Sequence, residues 1–187
     1  MRGSASITAQ VLQTLARLNV MAGYQKATVK MIENGMDYLR TVVMKEFEEM
    51  KRMEKKGQKP MISDYHAIQY LYINTLLGKN PFYDSDYVEL KNYLLKYLEA
   101  DRHRDIYSKA LMAVVLNGDG KAKKAKEYVE SIRQYTVTKP GMGTYFDTWH
   151  AGYSWFNYRI PTQTAAIEAL KAVDPADTET INQMRLW

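Results

Sequence analysis

The sequence predicts an all-α fold of about eight helices arranged as αα-hairpins. Apolar residues recur every three or four positions in one segment after another, while the alternating pattern of a strand is almost absent. The odd-numbered helices are apolar around most of their circumference, and the even-numbered ones carry one apolar stripe opposite a charged face. A helix that is apolar all round belongs inside, and a helix with one stripe covers it. This alternation indicates inner and outer layers, which form either an open solenoid or a closed ring.

The first two helices illustrate the alternation. In the first, apolar residues follow helical spacing from Ile7 to Leu18, and Gly23 can supply a left-handed cap at its end. In the second, apolar residues recur from Val29 to Met50, and Lys, Glu and Arg fill the opposite face. We therefore expect an inner helix followed by a long outer one.

Four further helices precede residue 134. Asp64 caps the third, and the breaker "GKNPFYDSD" separates it from the fourth. In that breaker, Asp84 and Asp86 favour helix capping over metal binding, because they stand directly before an apolar-periodic run. The fifth helix runs from about Asp105 to Leu116 and ends in the turn "NGDG", and the sixth follows at once with an apolar stripe beginning at Ala122.

The stretch "GMGTYFDTWHAGYSWFNYRIPTQTAAIEAL" places seven aromatic side chains within fourteen residues. We interpret its first part as an ordered crossing between an outer and an inner helix, whose rings close one end of the array. Gly141, Gly143 and Gly152 then act as backbone pivots. Pro161 opens a seventh helix, and an eighth begins in "DPADTETINQM".

Composition excludes several classes of protein. The 187 residues are 46% hydrophobic and carry a formal charge of +5, but the basic runs "KKGQK" and "KAKKAK" are typical of solvated helix faces, which argues against nucleic-acid binding. The chain has no cysteine, which removes disulfides, thiolate metal sites and a cysteine nucleophile. Its apolar runs are shorter than the roughly 18 residues of a membrane span. Because "TETINQMRLW" stops within a helical pattern, we expect the chain to be one helical domain, 1–187, cut from a larger protein.

The histidines give little support to a metal site. His66, His103 and His150 lie on different segments without the spacing of a zinc motif. His66 is interpreted as a structural side chain within the third helix, and His103 as a residue flanking a helix end. His150 is the better candidate for function, because it stands between Trp149 and Tyr153 in the aromatic segment.

A pair of carboxylates would be required if the helical array enclosed a carbohydrate enzyme. Asp147 and Glu168 are the best candidates, since they lie in or just after the aromatic segment and aromatic rings stack well on sugars. This hypothesis predicts a lyase or glycosidase that uses the two as acid and base. A helical-repeat module that binds proteins through its Lys-rich and Met-rich faces is another alternative.

The last third of the chain contains a recognisable series of residues and motifs: Gly143, Tyr145, Gly152-Tyr153-Ser154-Trp155, Thr162-Gln163, Ile167-Glu168-Ala169-Leu170 and Met184-Arg185-Leu186-Trp187. This series resembles the thioester-type domain of bacterial alpha-2-macroglobulins, above all the branch common in Bacteroidetes. The resemblance also extends, less specifically, to "SASITAQVLQTLARLNVM" and "MIENGMDYL" near the start.

This resemblance implies an α/α toroid, here incomplete, that serves as a non-enzymatic domain of a protease-trapping protein, an endopeptidase inhibitor. The parent would be multidomain and exported to the periplasm or cell envelope, often as a lipoprotein. Such proteins couple to proteases through a Cys-Gln thioester, which this cysteine-free chain cannot form. We expect either that the thioester motif lies upstream of Met1 or that the parent belongs to a branch without it, which restrains proteases non-covalently. The implied partners are the other domains of the parent and target proteases, with no cofactor, metal, nucleic acid or membrane contact. The aromatic segment would supply the interdomain or binding contacts, through Tyr145, Trp149, His150, Tyr153 and Trp155.

Overall fold

A computed structural model of the chain describes residues 4–23, 26–60, 64–78, 85–100, 105–152 and 159–187. Within these ranges the chain forms eight α-helices and one two-stranded sheet, which confirms the all-α class. The chain divides into two compact units, Met1–Asp101 and Arg102–Trp187, which we call the N-terminal unit and the C-terminal unit.

The N-terminal unit is built around a buried helix. Its elements are α1 (Ala5–Ala22), a 3-10 turn (Lys26–Thr28), α2 (Val29–Lys55), α3 (Asp64–Leu77) and α4 (Ser85–Ala100). Every residue of α3 from Ala67 to Asn74 is buried, and this helix packs against each of the other three. The predicted third helix is therefore an inner one.

The long helix α2 buries one stripe of side chains, as predicted. These buried residues recur at helical spacing and are Ile32, Met36, Leu39, Val43, Phe47 and Met50. Helix α1 approaches α2 closely at Gly35, where a Cβ atom would lie 2.8 Å from Cδ2 of Leu12. The absence of a side chain at this position allows the two helices to pack.

Helix α1 differs from the sequence-based prediction of a helix apolar and buried on most sides. It buries one face, and Ile7, Val11 and Leu18 on the rest of its surface are exposed. At its start the Ser4 hydroxyl accepts a hydrogen bond from Ile7 N at 3.4 Å, and at its end Gly23, the residue predicted there, has a φ of 76°. The pattern of apolar residues located this helix but did not reveal which of its faces has a partner.

The C-terminal unit is built around α5. Its elements are α5 (Ile106–Gly118), α6 (Ala122–Arg133), β1 (Thr136–Lys139), β2 (Gly143–Phe146), a 3-10 turn (Trp149–Ala151), α7 (Arg159–Val173) and α8 (Thr178–Leu186). From Ile106 to Leu116 every residue of α5 except Ser108 is buried, because α6 and α7 pack on it. Helix α6 buries only one stripe, which again matches the predicted alternation.

The start of the aromatic segment, predicted as an ordered crossing between two helices, contains a β-hairpin that the sequence pattern did not predict. Strands β1 and β2 pair antiparallel, with Thr136 opposite Phe146 and Lys139 opposite Gly143. Met142 N donates to Lys139 O at 3.1 Å across the turn, and Gly141 there has a φ of 76°. Strand β2 is buried along its whole length because α7 and α8 cover it, whereas β1 is largely exposed.

Candidate functional site

The aromatic residues at the end of the hairpin sit on a 3-10 turn that is fixed at both ends. Thr148 begins the turn, and its hydroxyl accepts a hydrogen bond from His150 N at 3.3 Å. At the other end, the Thr162 hydroxyl of α7 donates to Ala151 O at 2.8 Å. Trp149 and His150 are therefore presented from a position held by the first turns of α7.

Four side chains form a cluster around this turn: Trp149, His150, Tyr135 and Lys109. Its rings are in contact, with centroids 3.7 Å apart for Trp149 and His150 and 4.9 Å apart for His150 and Tyr135. Nζ of Lys109 lies 5.3 Å from the centroid of the Tyr135 ring, within cation–π range. We call these four residues the Trp149 cluster.

The cluster runs from the surface to the interior. Trp149 is 70% exposed, whereas Lys109, on the buried helix α5, is only 8% exposed. The Lys109 ammonium donates a hydrogen bond to Oγ of Ser131 at 2.9 Å. Burial lowers the pKa of Lys109, and the nearby Asp105 carboxylate opposes that shift. The cluster therefore combines an exposed ring with a cation that is mostly withdrawn from water.

Lys109 and Tyr135 were missed by the sequence reasoning. A signal for Lys109 is present in "IYSKALMAVVL", where one lysine interrupts an otherwise apolar helix. A charged side chain in such a position needs a specific partner. Tyr135 carries no comparable signal, because its role depends on how α6 and the 3-10 turn meet.

Tyr145, the third predicted contact residue within the described ranges, lies in the core. It is 4% exposed and stacks on Trp187, with ring centroids 5.8 Å apart and an angle of 10° between the planes. Nζ of Lys139 lies 5.7 Å from the same ring. Tyr145 thus joins the hairpin to the end of α8, and little of its surface is left for a partner.

The two carboxylates of the carbohydrate-enzyme hypothesis stand in different surroundings. The Asp147 side chain is more than half exposed, and its Oδ2 lies 4.0 Å from Nζ of Lys139, the geometry of a surface ion pair. Glu168 is half-buried on α7 and already takes part in an interaction within the protein. Asp147 therefore lies at the surface beside a cation, whereas Glu168 is partly withdrawn from water.

Several residues named from the sequence lie outside the described residues. Tyr153 and Trp155 of the aromatic segment are among them, as are Asp84 and His103. Asp86 is described, and it lies in the first turn of α4, where a carboxylate favours the helix N-terminus.

A search of the described residues finds no group of three or more His, Cys, Asp or Glu side chains that could hold a metal ion. None of the helices in these ranges combines the length and hydropathy needed to cross a membrane.

Comparison with known proteins finds no similar protein. No family model matches the chain, and neither a curated protein nor a solved structure is similar to it at a significant level.

Proposed function

We propose that this chain is a protein-binding helical domain of a protease-trapping protein of the alpha-2-macroglobulin type. The proposal takes its family from the residues of the aromatic segment and the helices after it, and its contact surface from the Trp149 cluster. In this proposal the helices belong to an α/α toroid, and the parent protein is exported to the periplasm or cell envelope.

The layering within each unit supports the toroid part of the proposal. Helices α3 and α5 are buried along most of their lengths, whereas α2 and α6 each bury a single stripe. A toroid requires this division between inner and outer helices, and an open solenoid shares it. The test is an experimental structure of the parent protein, and helices arranged as an open solenoid would contradict it.

The observation that carries the binding role is the exposure of Trp149 on a fixed support. Tryptophan, with tyrosine and arginine, is enriched among the interface residues that dominate binding energy. The ring contact with His150 and the hydrogen bonds at both ends of the turn limit the side-chain entropy lost on binding. Trp149 can therefore contact a protein partner with a small loss of conformational entropy.

The partner is either another domain of the parent protein or the trapped protease. With no cysteine in the chain, restraint of a protease by this domain proceeds by non-covalent contact. Asp147, with its Lys139 partner, then serves solubility and not turnover, so Asp147→Asn leaves binding unchanged.

The binding test measures the dissociation constant of the 187-residue chain for trypsin, subtilisin and elastase, each inactivated at its active-site serine. Trp149→Ala is expected to weaken binding about 30-fold, the effect of a contact worth about 2 kcal/mol. Leu186→Ala is the matched control, because Leu186 is equally exposed at 69% and lies outside the cluster. Failure of all three proteases to bind would exclude these proteases as partners, and equal effects of the two variants would contradict the binding role of the Trp149 cluster.

A further inference from the structure

A hydroxyl, an imidazole and a carboxylate from three different helices meet in the N-terminal unit. Ser6 lies on α1, Glu46 on α2 and His66 on α3. Oγ of Ser6 is 3.3 Å from Nε2 of His66, and Nδ1 of the same ring is 3.1 Å from Oε1 of Glu46. The order is that of a nucleophile, a base and an acidic group that orients the base.

We propose that Ser6, His66 and Glu46 form an acyl-transfer site that hydrolyses small carboxylic esters, with Ser6 as nucleophile. The site lies in a different unit from the Trp149 cluster and does not rest on the binding role. It departs from the non-enzymatic character that the family resemblance implies.

The partners of His66 determine where its proton lies. A carboxylate can only accept a hydrogen bond, so Nδ1 carries the hydrogen that points to Glu46. Nε2 is then left with a lone pair directed at the Ser6 hydroxyl, which donates to it. This tautomer is the one that can remove a proton from Ser6.

The surroundings of His66 and Glu46 hold the two side chains in contact with each other. The side chains of His66 and Glu46 are 19% and 27% exposed, so both are partly withdrawn from water yet reachable. Oε2 of Glu46 is buried without a hydrogen-bond partner among the described residues. The edge-on ring of Tyr65, 5.9 Å away, helps to hold the imidazole in place.

The position of Ser6 at the start of α1 provides donors for the developing oxyanion. Ser6 is the second residue of the helix, and the Ala5 and Ser6 N–H groups have no acceptor within it. Ser4, by contrast, accepts the Ile7 N–H through its hydroxyl. These N–H groups and the positive end of the helix dipole lie beside the nucleophile, where they can stabilise a negative oxygen.

The reaction then has two balanced steps. Oγ of Ser6 attacks the ester carbonyl carbon while its proton moves to Nε2 of His66, and the resulting intermediate collapses as the alcohol leaves with that proton. Water attacks the acyl group on Ser6 and gives its proton to His66. Release of the carboxylic acid returns the proton to Oγ of Ser6. No oxidant, metal or cofactor takes part.

Ser6 is only half-buried, so part of the residue is open to a small ester in solution.

The experiment uses the whole chain with p-nitrophenyl acetate as substrate and a fluorophosphonate as covalent probe. Turnover above the buffer rate and attachment of the probe to the peptide containing Ser6, located by mass spectrometry, are expected. Ser6→Ala is expected to abolish both, and His66→Gln to lower kcat about 100-fold. Thr14→Ala is the control, because this exposed hydroxyl on α1 donates to Gln10 O of its own helix, and it should retain full turnover.

Glu46 acts through His66 and is therefore a positioning residue. Glu46→Gln is expected to lower kcat about tenfold with KM unchanged, and Glu46→Asp to restore part of the loss. Probe labelling of the unmodified chain keeps the test valid if a variant fails to fold. Absence of turnover, labelling elsewhere than Ser6, or full activity in folded Ser6→Ala would overturn the proposal and leave the three residues as a structural network.

Discussion

At the scale of single residues, Gly143 shows why one position in the aromatic segment accepts no side chain. Its φ is 75°, and a Cβ atom there would lie 2.2 Å from Gln183 O and 2.9 Å from Cβ of Leu186. Both the backbone conformation and the contact with α8 therefore oppose any other residue.

Gly143→Ala is expected to lower the free energy of unfolding by about 3 kcal/mol or more, measured by urea denaturation. Gly120→Ala is the matched control. Gly120 has a φ of 76°, but a Cβ atom added there would meet nothing within 4 Å. Its replacement by alanine therefore costs only the free energy of placing a side chain on a left-handed backbone, about 1 kcal/mol. Equal losses in the two variants would show that α8 does not press against the hairpin.

A second residue, Gln163, joins three elements through one amide group. Its Nε2 donates to Thr144 O of β2 at 2.7 Å and to Met184 O of α8 at 2.9 Å, from a buried position on α7. Gln163→Leu keeps the volume but leaves both carbonyls without this donor. We expect a loss of about 2 kcal/mol in the free energy of unfolding. A denaturant midpoint equal to that of the unmodified chain would contradict this role.

At the scale of secondary-structure elements, α4 meets α2 through Tyr93, whose ring lies 5.0 Å from that of Phe47. Burial, followed by the Glu54 carboxylate, raises the pKa of Tyr93 to about 12. The folded state keeps the phenol proton that the unfolded chain releases near pH 10. The contribution of Tyr93 to stability is therefore complete below about pH 10 and is lost as the pH rises toward about 12.

The measurement is the free energy of unfolding at several pH values between about 9 and about 12. The unmodified chain is expected to lose stability more steeply than Tyr93→Phe, which has no phenol to titrate. If the free energy of unfolding falls equally with pH in the two proteins, burial beside Glu54 does not raise the pKa of Tyr93.

Helix α5 presents a different case at the same scale, because it carries a cation into a layer of apolar side chains. Lys109→Met is expected to leave the free energy of unfolding equal or to raise it by about 1 kcal/mol, since an apolar residue of similar length avoids the desolvation of the ammonium. A clear loss of stability would show that the Ser131 and Tyr135 contacts outweigh that desolvation.

At the scale of the whole molecule, the division into two units predicts independent folding. The contacts of α5, α6, α7, α8 and the hairpin connect these elements to one another, as do those of α1, α2, α3 and α4 in the first unit. Residues 1–101 and 102–187, expressed separately, are expected each to show helical circular dichroism and a cooperative thermal transition. An unfolded half would contradict the division.

The sequence predicted the helices well because their signal is local. The stripe of α2 and the nearly continuous burial of α5 both follow from the spacing of apolar residues along the chain. The hairpin was missed although "TVTKPGMGTYF" contains a Pro-Gly turn, because its short strands alternate only weakly and are stabilised by α7 and α8. Exposure of one side of α1 likewise depends on which helices pack on it.

The sequence by itself determined the helical class and the contrast between the buried helices α3 and α5 and the amphipathic helices α2 and α6, since both depend on residues a few positions apart. Only the tertiary structure decided which side chains meet. Ser6 and His66 are separated by 60 positions and His66 and Glu46 by 20, and no periodicity relates them. The same holds for Lys109 beneath Tyr135, because the contact forms only when α5 and α6 pack. The spacing of residues along the chain therefore determines each helix, while the packing of helices determines which side chains come into contact.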